Sequence, residues 1–267
     1  MLLFDSHCHL DDSGVDPSAA LAAMSLASVG RAVIAGYGPE RHARARGLCE
    51  RDSRLRRGVG LHPWWLGDQT VDQEAAWQAV EQEVRAVGVV AVGEIGVDRT
   101  RRKHASADTQ LVGMRRGLRL AADCDLPVIL HVVGWHGHAL KALRACPPGR
   151  GGVVHRFGGS EALIADYTAL GVMLSVDVIA FRRQPDKTLA RAASIPLDHL
   201  LVETDWPERG VTYAESLSQL RALVVAIAAK IGLPVDDLAA QLWHNASRLY
   251  GLTPAPSAPP ANAMNAK

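Results

Sequence analysis

Short apolar runs alternate with longer amphipathic stretches along the whole chain. The runs are rich in valine, isoleucine and leucine, and the stretches between them place apolar residues at helical spacing. Repeated units of this kind are typical of a parallel sheet whose strands are joined by helices. We predict eight strands, at 2–7, 31–35, 57–61, 89–94, 127–131, 152–155, 172–176 and 200–204. Helices are predicted at about 17–29, 39–52, 72–87, 107–125, 136–146, 160–170, 186–194, 214–231 and 235–249.

Eight parallel strands can form an open sheet or close into a barrel. The run 128–130 is apolar at consecutive positions, as expected for a strand that is buried on both faces. Five of the predicted strands end in His, Glu or Asp, and a barrel brings its strand ends onto one rim. We therefore predict an α/β fold, a closed parallel (β/α)8 TIM barrel, with an extra C-terminal helix that begins after Pro234.

The length of the chain fits one barrel. Barrels of about 250 residues fold as one unit, so we predict a single domain at 1–252 of the 267 residues. The stretch 253–267 is rich in Pro, Ala and Asn and has no periodicity, which predicts a disordered tail.

Charge and cysteine content narrow the class of protein. Lys and Arg number 29 and Asp and Glu 28, which argues against a nucleic-acid binder that works through a large basic surface. A phosphate-containing substrate remains compatible, because a bound metal supplies positive charge that this count omits. The four cysteines have no paired spacing, the N-terminus has no basic region, and no apolar run is long enough to span a membrane. We expect a soluble, cytoplasmic protein with reduced thiols and no membrane contact.

The first strand ends in two histidines. His7 and His9 lie two positions apart, so both side chains point to the same side of the strand, where two imidazoles can share one ion. The alternative is a pair of hydrogen-bonded core histidines. Asp5 and Asp11 flank the pair and are candidates to accept hydrogen bonds from the imidazoles.

The fourth strand ends in a carboxylate among apolar neighbours. Glu94 lies between Gly93 and Ile95, and a buried carboxylate needs a cation or an arginine as its partner. Glycines at 93 and 96 allow the backbone to pass close to a ligand. Asp98, further along, is expected to cap a loop or helix rather than to bind metal.

Three further strands end in side chains that bind metals. His131 and His155 are each the first titratable residue after an apolar strand, and Asp205 follows the eighth strand. Glu203 has the same parity as Asp205 and is a second candidate, paired with a basic group beneath the site. Four imidazoles and two carboxylates form a ligand set for two divalent ions, with one carboxylate free to bridge. Mixed ligation of this kind suits Zn, Mn, Co or Ni, and tolerates Mg if waters complete the shell.

The order of these motifs is similar to that of a known family. The matching stretches are FDSHCHLD at 4–11, GLHP at 60–63, GEIGVD at 93–98, LPVILH at 126–131, ETDWP at 203–207 and NASRLYG at 245–251, with His155, Phe157 and Gly159 between them. In this set the chain resembles the TatD-type metal-dependent hydrolases, barrel members of the wider amidohydrolase group.

The resemblance implies a ligand set and an activity. The implied metal ligands of two divalent ions are His7, His9, Glu94, His131, His155 and Asp205, with Glu94 bridging the ions. The implied activity is metal-dependent hydrolysis of phosphodiesters, which removes nucleotides from a DNA or RNA end without an organic cofactor. His62 falls in the family's His-Pro element and is a candidate for substrate contact or proton transfer, the alternative being a loop histidine before a proline.

Two departures from the family pattern bear on the substrate. The family usually has an arginine two positions after the fifth-strand histidine, and this chain has Val133 there. The loop after the eighth strand is also shorter than usual. The arginines of the rim loops that could supply the missing cation are Arg156, Arg182, Arg183 and Arg209.

We expect a hydroxide held by the two cations to attack phosphorus or a carbonyl carbon. The predicted catalytic residues are Asp205 as proton acceptor, Glu94, and His62 as donor to the leaving group. The tryptophans of the rim loops are candidates for stacking on a base or for local packing: Trp64, Trp65, Trp135 and Trp206. The alternatives are a hydrolase of a small carbonyl or phosphate substrate that uses the same centre, and an inactive barrel that serves as a binding partner. The sequence makes no prediction of the oligomeric state.

Overall fold

The computed structural model describes residues 1–67, 70 and 72–253. The strands are β1 (Leu3–Cys8), β2 (Val29–Ile34), β3 (Leu55–Val59), β4 (Val89–Asp98), β5 (Val128–Val133), β6 (Gly152–His155), β7 (Val172–Asp177) and β8 (Leu200–Glu203). The helices are α1 (Pro17–Leu26), α2 (Pro39–Arg51), α3 (Gln73–Glu83), α4 (Ala107–Cys124), α5 (His136–Ala145), α6 (Glu161–Thr168), α7 (Val178–Arg183), α8 (Pro185–Ser194), α9 (Tyr213–Ile231) and α10 (Val235–Leu249). Short 3-10 turns cover Pro63–Trp65, Arg99–Arg101 and Leu197–His199.

The eight strands form one parallel sheet in sequence order, and this sheet is nearly closed into a barrel. Hydrogen bonds join its first and last strands. The backbone N–H of Asp205 donates to the carbonyl of His7 at 2.9 Å, and the hydroxyl of Ser6 donates to the carbonyl of Val202 at 2.9 Å. The predicted (β/α)8 TIM-barrel architecture is confirmed.

The extra helix α10 covers one mouth of the barrel. Trp243 of α10 packs edge-on against Phe4, near the start of β1, with ring centroids 5.4 Å apart. The hydroxyl of Tyr250 donates to the carbonyl of Ser6 at 3.0 Å. These residues belong to a buried apolar cluster with side chains of the strands, including Ile129. The amino ends of the strands are therefore filled, and the opposite mouth remains for a site.

Two strands extend at least two residues further at their carboxyl ends than the sequence predicted. β4 continues to Asp98 instead of ending at Glu94, and β5 continues to Val133. The reason is their pairing, because Gly96 lies opposite His131 and Asp98 lies opposite Val133 in the parallel ladder. Conversely, β3 ends at Val59, so the predicted end of that strand belongs to a loop.

Other differences concern short elements and the C-terminus. Helix α7 was not predicted; it begins where the side chain of Asp177 accepts a hydrogen bond from the N–H of Ala180. Thr253, assigned to the predicted tail, is bound by Arg31 through two hydrogen bonds. The rest of the predicted tail, 254–267, lies outside the described residues, and the single domain at 1–252 stays a prediction. Among the helices that are described, none is both long and apolar enough to cross a bilayer.

Candidate metal centre

The six predicted ligands converge at the open mouth of the barrel. They belong to five strand ends, as β1, β4, β5, β6 and β8 carry or directly precede them. The exposed fractions of their side chains range from 0% for His7 to 15% for His9. The group is therefore shielded from bulk water but can be reached from the mouth.

A first set of four atoms surrounds one point. The Nε2 atoms of His7 and His9 lie 3.3 Å apart. Oε2 of Glu94 lies 3.7 and 3.3 Å from these two nitrogens, and Oδ1 of Asp205 lies 3.4 and 3.5 Å from them. Tetrahedral coordination with bonds of about 2.0–2.1 Å separates ligand atoms by about 3.4 Å. The spacing of these four atoms fits one divalent cation.

A second set lies on the other side of Glu94. Its Oε1 atom is 2.9 Å from Nε2 of His155 and 3.5 Å from Nδ1 of His131, and these two nitrogens are 2.9 Å apart. Neither oxygen of Glu94 accepts a hydrogen bond with good geometry from the described residues, although both are buried. Buried carboxylate oxygens without a donor need a cation. The second set could hold a further cation, with Glu94 between the two.

The backbone around Glu94 is tied to the segment that follows β2. The N–H of Glu94 donates to the carbonyl of Gly36, and the N–H of Gly36 donates to the carbonyl of Gly93. A side chain at Gly36 would start 2.6 Å from the carbonyl oxygen of Gly93, and one at Gly60 would start 2.5 Å from the carbonyl carbon of Gly93. Glycine at 36 and 60 thus allows the close approach of β4 on which the position of Glu94 depends.

Asp205 is held by contacts at both ends. Its backbone has a φ of 50°, in the left-handed region, and its N–H donates to the carbonyl of His7. Arg156 donates from Nη1 to Oδ2 of Asp205 at 2.7 Å, which leaves Oδ1 facing the histidines. Of the rim arginines proposed as substitutes for a missing cation, Arg156 reaches the centre, whereas Arg182 and Arg183 pair with Glu208.

Both carboxylates are ionised in this surrounding. Burial by itself raises the pKa of Glu94, but the imidazoles of His155 and His7 outweigh it and hold that pKa well below its usual range. Burial also raises the pKa of Asp205, and a hydrogen bond from His9 with the charge of His155 lowers it below its ordinary value. Each of the two carboxylates is therefore available as an anionic ligand at neutral pH.

His62 lies beside the second set, beyond the end of β3. Its Nδ1 accepts a hydrogen bond from the N–H of Trp64 at 3.1 Å, so the neutral ring carries its proton on Nε2. That nitrogen is 3.2 Å from Nδ1 of His131 and 3.7 Å from Oε1 of Glu94. Burial lowers the pKa of His62 well below its ordinary value. His62 is thus a neutral hydrogen-bond donor in the cavity.

Asp98 has a role that the sequence did not reveal. It caps the 3-10 turn Arg99–Arg101, as predicted, by accepting the N–H of Thr100. Its other oxygen, Oδ2, accepts from the indole N–H of Trp64 at 2.7 Å and lies 3.3 Å from Nε2 of His131. Such an acceptor fixes the ring and leaves Nδ1 of His131 unprotonated towards Glu94. Glu94 and Asp98 are separated by an even number of positions, so in one continuous strand their side chains point to the same side. This spacing was the signal in the sequence that Asp98 could reach the site.

The two acids predicted to support the imidazoles differ in their contacts. Asp5 does not orient an imidazole, because its oxygens accept from the N–H and hydroxyl of Thr204 and from the hydroxyl of Tyr213. Oδ1 of Asp11 and Nδ1 of His9 are both buried without a hydrogen-bond partner among the described residues.

Glu203, which was predicted to pair with a basic group beneath the site, lies beside the imidazole of His155. Its Oε1 accepts the backbone N–H of Arg156 at 2.7 Å, and it lies 3.6 Å from Nδ1 of His155. Since Glu203 is fully buried at the end of β8, it can hold the proton of His155 on Nδ1 and leave Nε2 free towards Glu94.

The wall of the cavity is aromatic and cationic. The cavity above the centre measures about 260 Å³ and includes Tyr37, Arg41, His62 and Trp64 in its lining. The guanidinium of Arg41 lies 4.4 Å from the ring centroid of Tyr37, and that of Arg101 lies 4.7 Å from Trp64. Of the four predicted rim tryptophans, Trp64 lines this cavity and is 43% exposed, whereas the other three pack partly against the core.

Together, the barrel and the ligand set at its carboxyl mouth define a metal-dependent hydrolase of the TIM-barrel type. The chain matches the family model TatD related DNase over residues 4–251. It therefore belongs to the TatD family, as the motif order predicted.

Two relatives within this family are similar to the chain over most of its length. The metal-dependent hydrolase YjjV of Escherichia coli (strain K12) is 33% identical over 262 residues, which cover 93% of this chain and 97% of YjjV. The crystal structure of YjjV superimposes with a TM-score of 0.83 at 29% identity, covering 94% of this chain and 98% of that one. The 3'-5' ssDNA/RNA exonuclease TatD of Erwinia amylovora is 29% identical over 204 residues, which cover 73% of this chain and 77% of that protein.

Proposed function

We propose that this chain is a divalent-metal-dependent phosphodiesterase that removes nucleotides from an end of DNA or RNA. The single observation that carries the proposal is the orientation of Glu94, whose two oxygens face two different histidine pairs at 2.9–3.7 Å. A carboxylate in this position can bridge two cations, and paired cations suit displacement at phosphorus. A relative that is 29% identical is a 3'-5' ssDNA/RNA exonuclease, which favours the same class of substrate.

In the proposed site, six side chains would hold the two cations. His7, His9, Asp205 and Oε2 of Glu94 form one set, and His131, His155 and Oε1 of Glu94 form the other. Divalent cations in these sets would lower the pKa of a nucleophilic water and offset the negative charge that develops on phosphoryl oxygens. The second set has three protein ligands, and such a set leaves a coordination position for substrate or water.

Asp205 is the proposed acceptor for the proton that the nucleophile releases. Its carboxylate stays ionised, and Arg156 holds Oδ2 at 2.7 Å so that the group cannot rotate freely. A general base must be held within hydrogen-bond reach of the proton it accepts. Arg156 is thus a positioning residue, and it also limits how basic Asp205 can become.

His62 is the proposed hydrogen-bond donor to a substrate oxygen. Because Trp64 donates to its Nδ1, the proton of the neutral ring lies on Nε2, which is directed towards Glu94 and His131. A donor in this place can stabilise charge on the leaving oxygen. The role differs from that of an imidazolium acid, since the ring is neutral.

The surrounding charge supports an anionic substrate. The chain carries a net charge of only +1, yet two arginines stack on aromatic rings beside the metal cavity. Arg101 over Trp64 gives one cation next to one flat apolar ring, a combination that suits a phosphate followed by a base. This pairing favours a nucleic-acid strand over a small uncharged ester.

The test is a metal-supplemented comparison of substrates. Metal-depleted protein is reloaded with Mn, Zn, Mg, Co or Ni and incubated with labelled single-stranded DNA, single-stranded RNA and a panel of small carboxylic and phosphate esters. We expect release of nucleotides from one end of a strand, dependent on added metal. Ester turnover with intact strands would instead favour the small-substrate hydrolase, and no turnover with no bound metal would favour the inactive binding barrel.

Two variants link the activity to the proposed site. Asp205→Asn is expected to lower kcat by at least about 100-fold while the protein stays folded, because the amide can neither carry the charge nor accept the proton. Asp198→Asn is the matched control, because Asp198 is exposed and lies before the start of β8, whereas Asp205 follows the end of that strand. Wild-type turnover by Asp205→Asn, with unchanged metal content, would contradict the role of Asp205.

A further inference from the structure

A second cavity opens directly beside the metal cavity. It measures about 520 Å³ and lies between the loops that follow β5 and β6. The two cavities share three lining residues, His131, His155 and Arg156. A substrate bound at the proposed cations can therefore extend into the second cavity, which we call the His136 cavity after a histidine in its lining. Cavities of about 300–1,000 Å³ are the size of small-molecule sites.

The His136 cavity is nearly free of available charge. Its lining includes the apolar side chains of Val133, which is 38% exposed, and Leu163, together with Gly158 and Gly159. Among its lining residues the one permanent cation is Arg156, which already pairs with Asp205 at 2.7 Å and with Asp177 at 3.6 Å. The metal cavity has a second arginine in its lining, Arg41, which pairs with Asp12 at 3.0 Å.

His136 supplies a fixed polar edge in this neutral surrounding. Its Nδ1 lies 3.0 Å from the hydroxyl of Tyr167, which is fully buried. The ring of Phe157 packs edge-on against His136 and against Tyr167, with centroids 5.8 and 6.0 Å apart. Burial lowers the pKa of His136, so the ring is neutral at neutral pH. With Nδ1 engaged, Nε2 is the nitrogen left for a ligand, and its ring cannot easily turn away.

We infer that the His136 cavity binds the base of the nucleotide at the strand end, with the free edge of His136 hydrogen-bonded to that base. The inference rests on the proposed function and names the part of its substrate that this cavity takes. Beyond the proposed cation at His131 and His155, a phosphate would find no side-chain cation there that lacks a carboxylate partner, whereas an uncharged ring would meet the apolar side chains of Val133 and Leu163 and satisfy His136. The two cavities would thus divide the substrate, with the charged backbone at the proposed cations and the base on the side of His136.

Strands that lack one terminal base test this assignment. Two sets of short single-stranded DNA are compared with intact strands of the same sequence, one abasic at the 5' end and one abasic at the 3' end. The readouts are kcat/KM of the Mn-supplemented protein and the affinity of metal-depleted protein by fluorescence anisotropy. For wild type, we expect kcat/KM and affinity to be about tenfold higher for the intact strand than for the strand that is abasic at one of its ends, because that strand loses stacking and one hydrogen bond. A missing base at the other end should change neither quantity.

His136→Phe keeps a ring but removes the hydrogen-bonding nitrogen. We expect this variant to lower kcat/KM and affinity for the intact strand by about threefold to tenfold and to leave both quantities unchanged for the abasic strand. His138→Phe is the matched control, because His138 is an exposed residue of the same helix that does not line the cavity, and it should change neither strand. Tyr167→Phe removes the hydrogen bond that fixes the ring of His136. It should also lower kcat/KM and affinity for the intact strand, but by less than His136→Phe does.

The outcomes separate this inference from the proposed function. Equal use of intact and abasic strands by wild type would overturn the base assignment while the nuclease activity stands. Equal loss on both strands in His136→Phe, with an unchanged melting temperature, would overturn the role of His136. If wild type neither binds nor cleaves any strand, the proposed function fails and the base assignment fails with it.

Discussion

Asp98 gives the sharpest test of how the second ligand set is built. Its Oδ2 atom lies 3.3 Å from Nε2 of His131 and accepts the indole N–H of Trp64 at 2.7 Å. Burial by itself raises the pKa of Asp98, but hydrogen bonds from three neighbouring side chains hold that pKa well below its ordinary value. Asp98 is therefore an ionised acceptor that keeps the proton of His131 on Nε2 and leaves Nδ1 free for metal.

Asp98→Asn changes this acceptor at nearly constant volume. An amide can turn its NH₂ group towards His131, which would move the imidazole proton to Nδ1, the nitrogen that faces Glu94. Replacing an acceptor behind a metal-bound histidine lowers metal affinity or activity by about 10–100-fold. The distance of 3.3 Å is long for a charge-assisted bond, so we expect a loss near tenfold, or about 1.4 kcal/mol.

The assay titrates metal-depleted protein with Zn²⁺ against a chromophoric chelator and then measures kcat/KM at saturating metal. Thr100→Val is the matched control, because the hydroxyl of Thr100 donates to Oδ1 of Asp98 and does not touch the atom that faces His131. We expect weaker binding of one equivalent of metal in Asp98→Asn and unchanged binding in Thr100→Val. Unchanged titration and turnover in Asp98→Asn would refute the reasoning, and so would an equal loss in Thr100→Val.

The remaining predictions concern stability and are measured by urea unfolding. Glu83→Gln is expected to cost about 3–5 kcal/mol, because it leaves the fully buried Arg57 without its ion pair at 2.7 Å, whereas Arg57→Met should cost much less; equal costs would contradict this. Burial lowers the pKa of His42 to about 4, so the unfolded chain binds the proton first as pH falls. Stability due to a neutral His42 is therefore lost from about pH 6.5 down to pH 4, and His42→Leu should remove about 2–3 kcal/mol of the wild-type decline between pH 7 and 4.5; parallel declines would exclude it. Gly96→Ala should cost about 3 kcal/mol or more, since its Cβ would lie 2.0 Å from the carbonyl oxygen of His131; an unchanged midpoint would contradict this reading.

The sequence was sufficient for the barrel and for the residues at its mouth because both depend on local patterns. A run such as Val128–Leu130 is apolar at every position only if both faces are buried, and the polar residue that follows it marks the strand end. Parallel strands then bring these ends together by topology alone. His131 and His155 could be placed side by side in this way, and they are opposite each other in the β5–β6 ladder.

The supporting contacts could not be predicted from one sequence. Arg156 was one of several rim arginines in the sequence. Its backbone has a φ of 46°, in the left-handed region, and its side chain pairs with Asp205; neither feature can be inferred from the sequence pattern. The length of β4 depends on its pairing with β5, so Asp98 looked like a loop residue although it lies in a strand. His136 carried no motif at all, since its setting is made by Phe157 and Tyr167 from the next unit of the barrel.

The junction between β1 and β8 ties the assembly of the centre to the completion of the barrel. His9 donates its N–H to the carbonyl of Trp206 at 2.7 Å and Asp205 donates to the carbonyl of His7 at 2.9 Å, so ligands that follow the first and the eighth strand are placed by each other's backbone. During synthesis the first two histidines must wait for about 200 further residues before their partners leave the ribosome. Binding of the first ion would then require that β1 and β8 are already joined. A nascent or truncated polypeptide would therefore gain little stability from added metal.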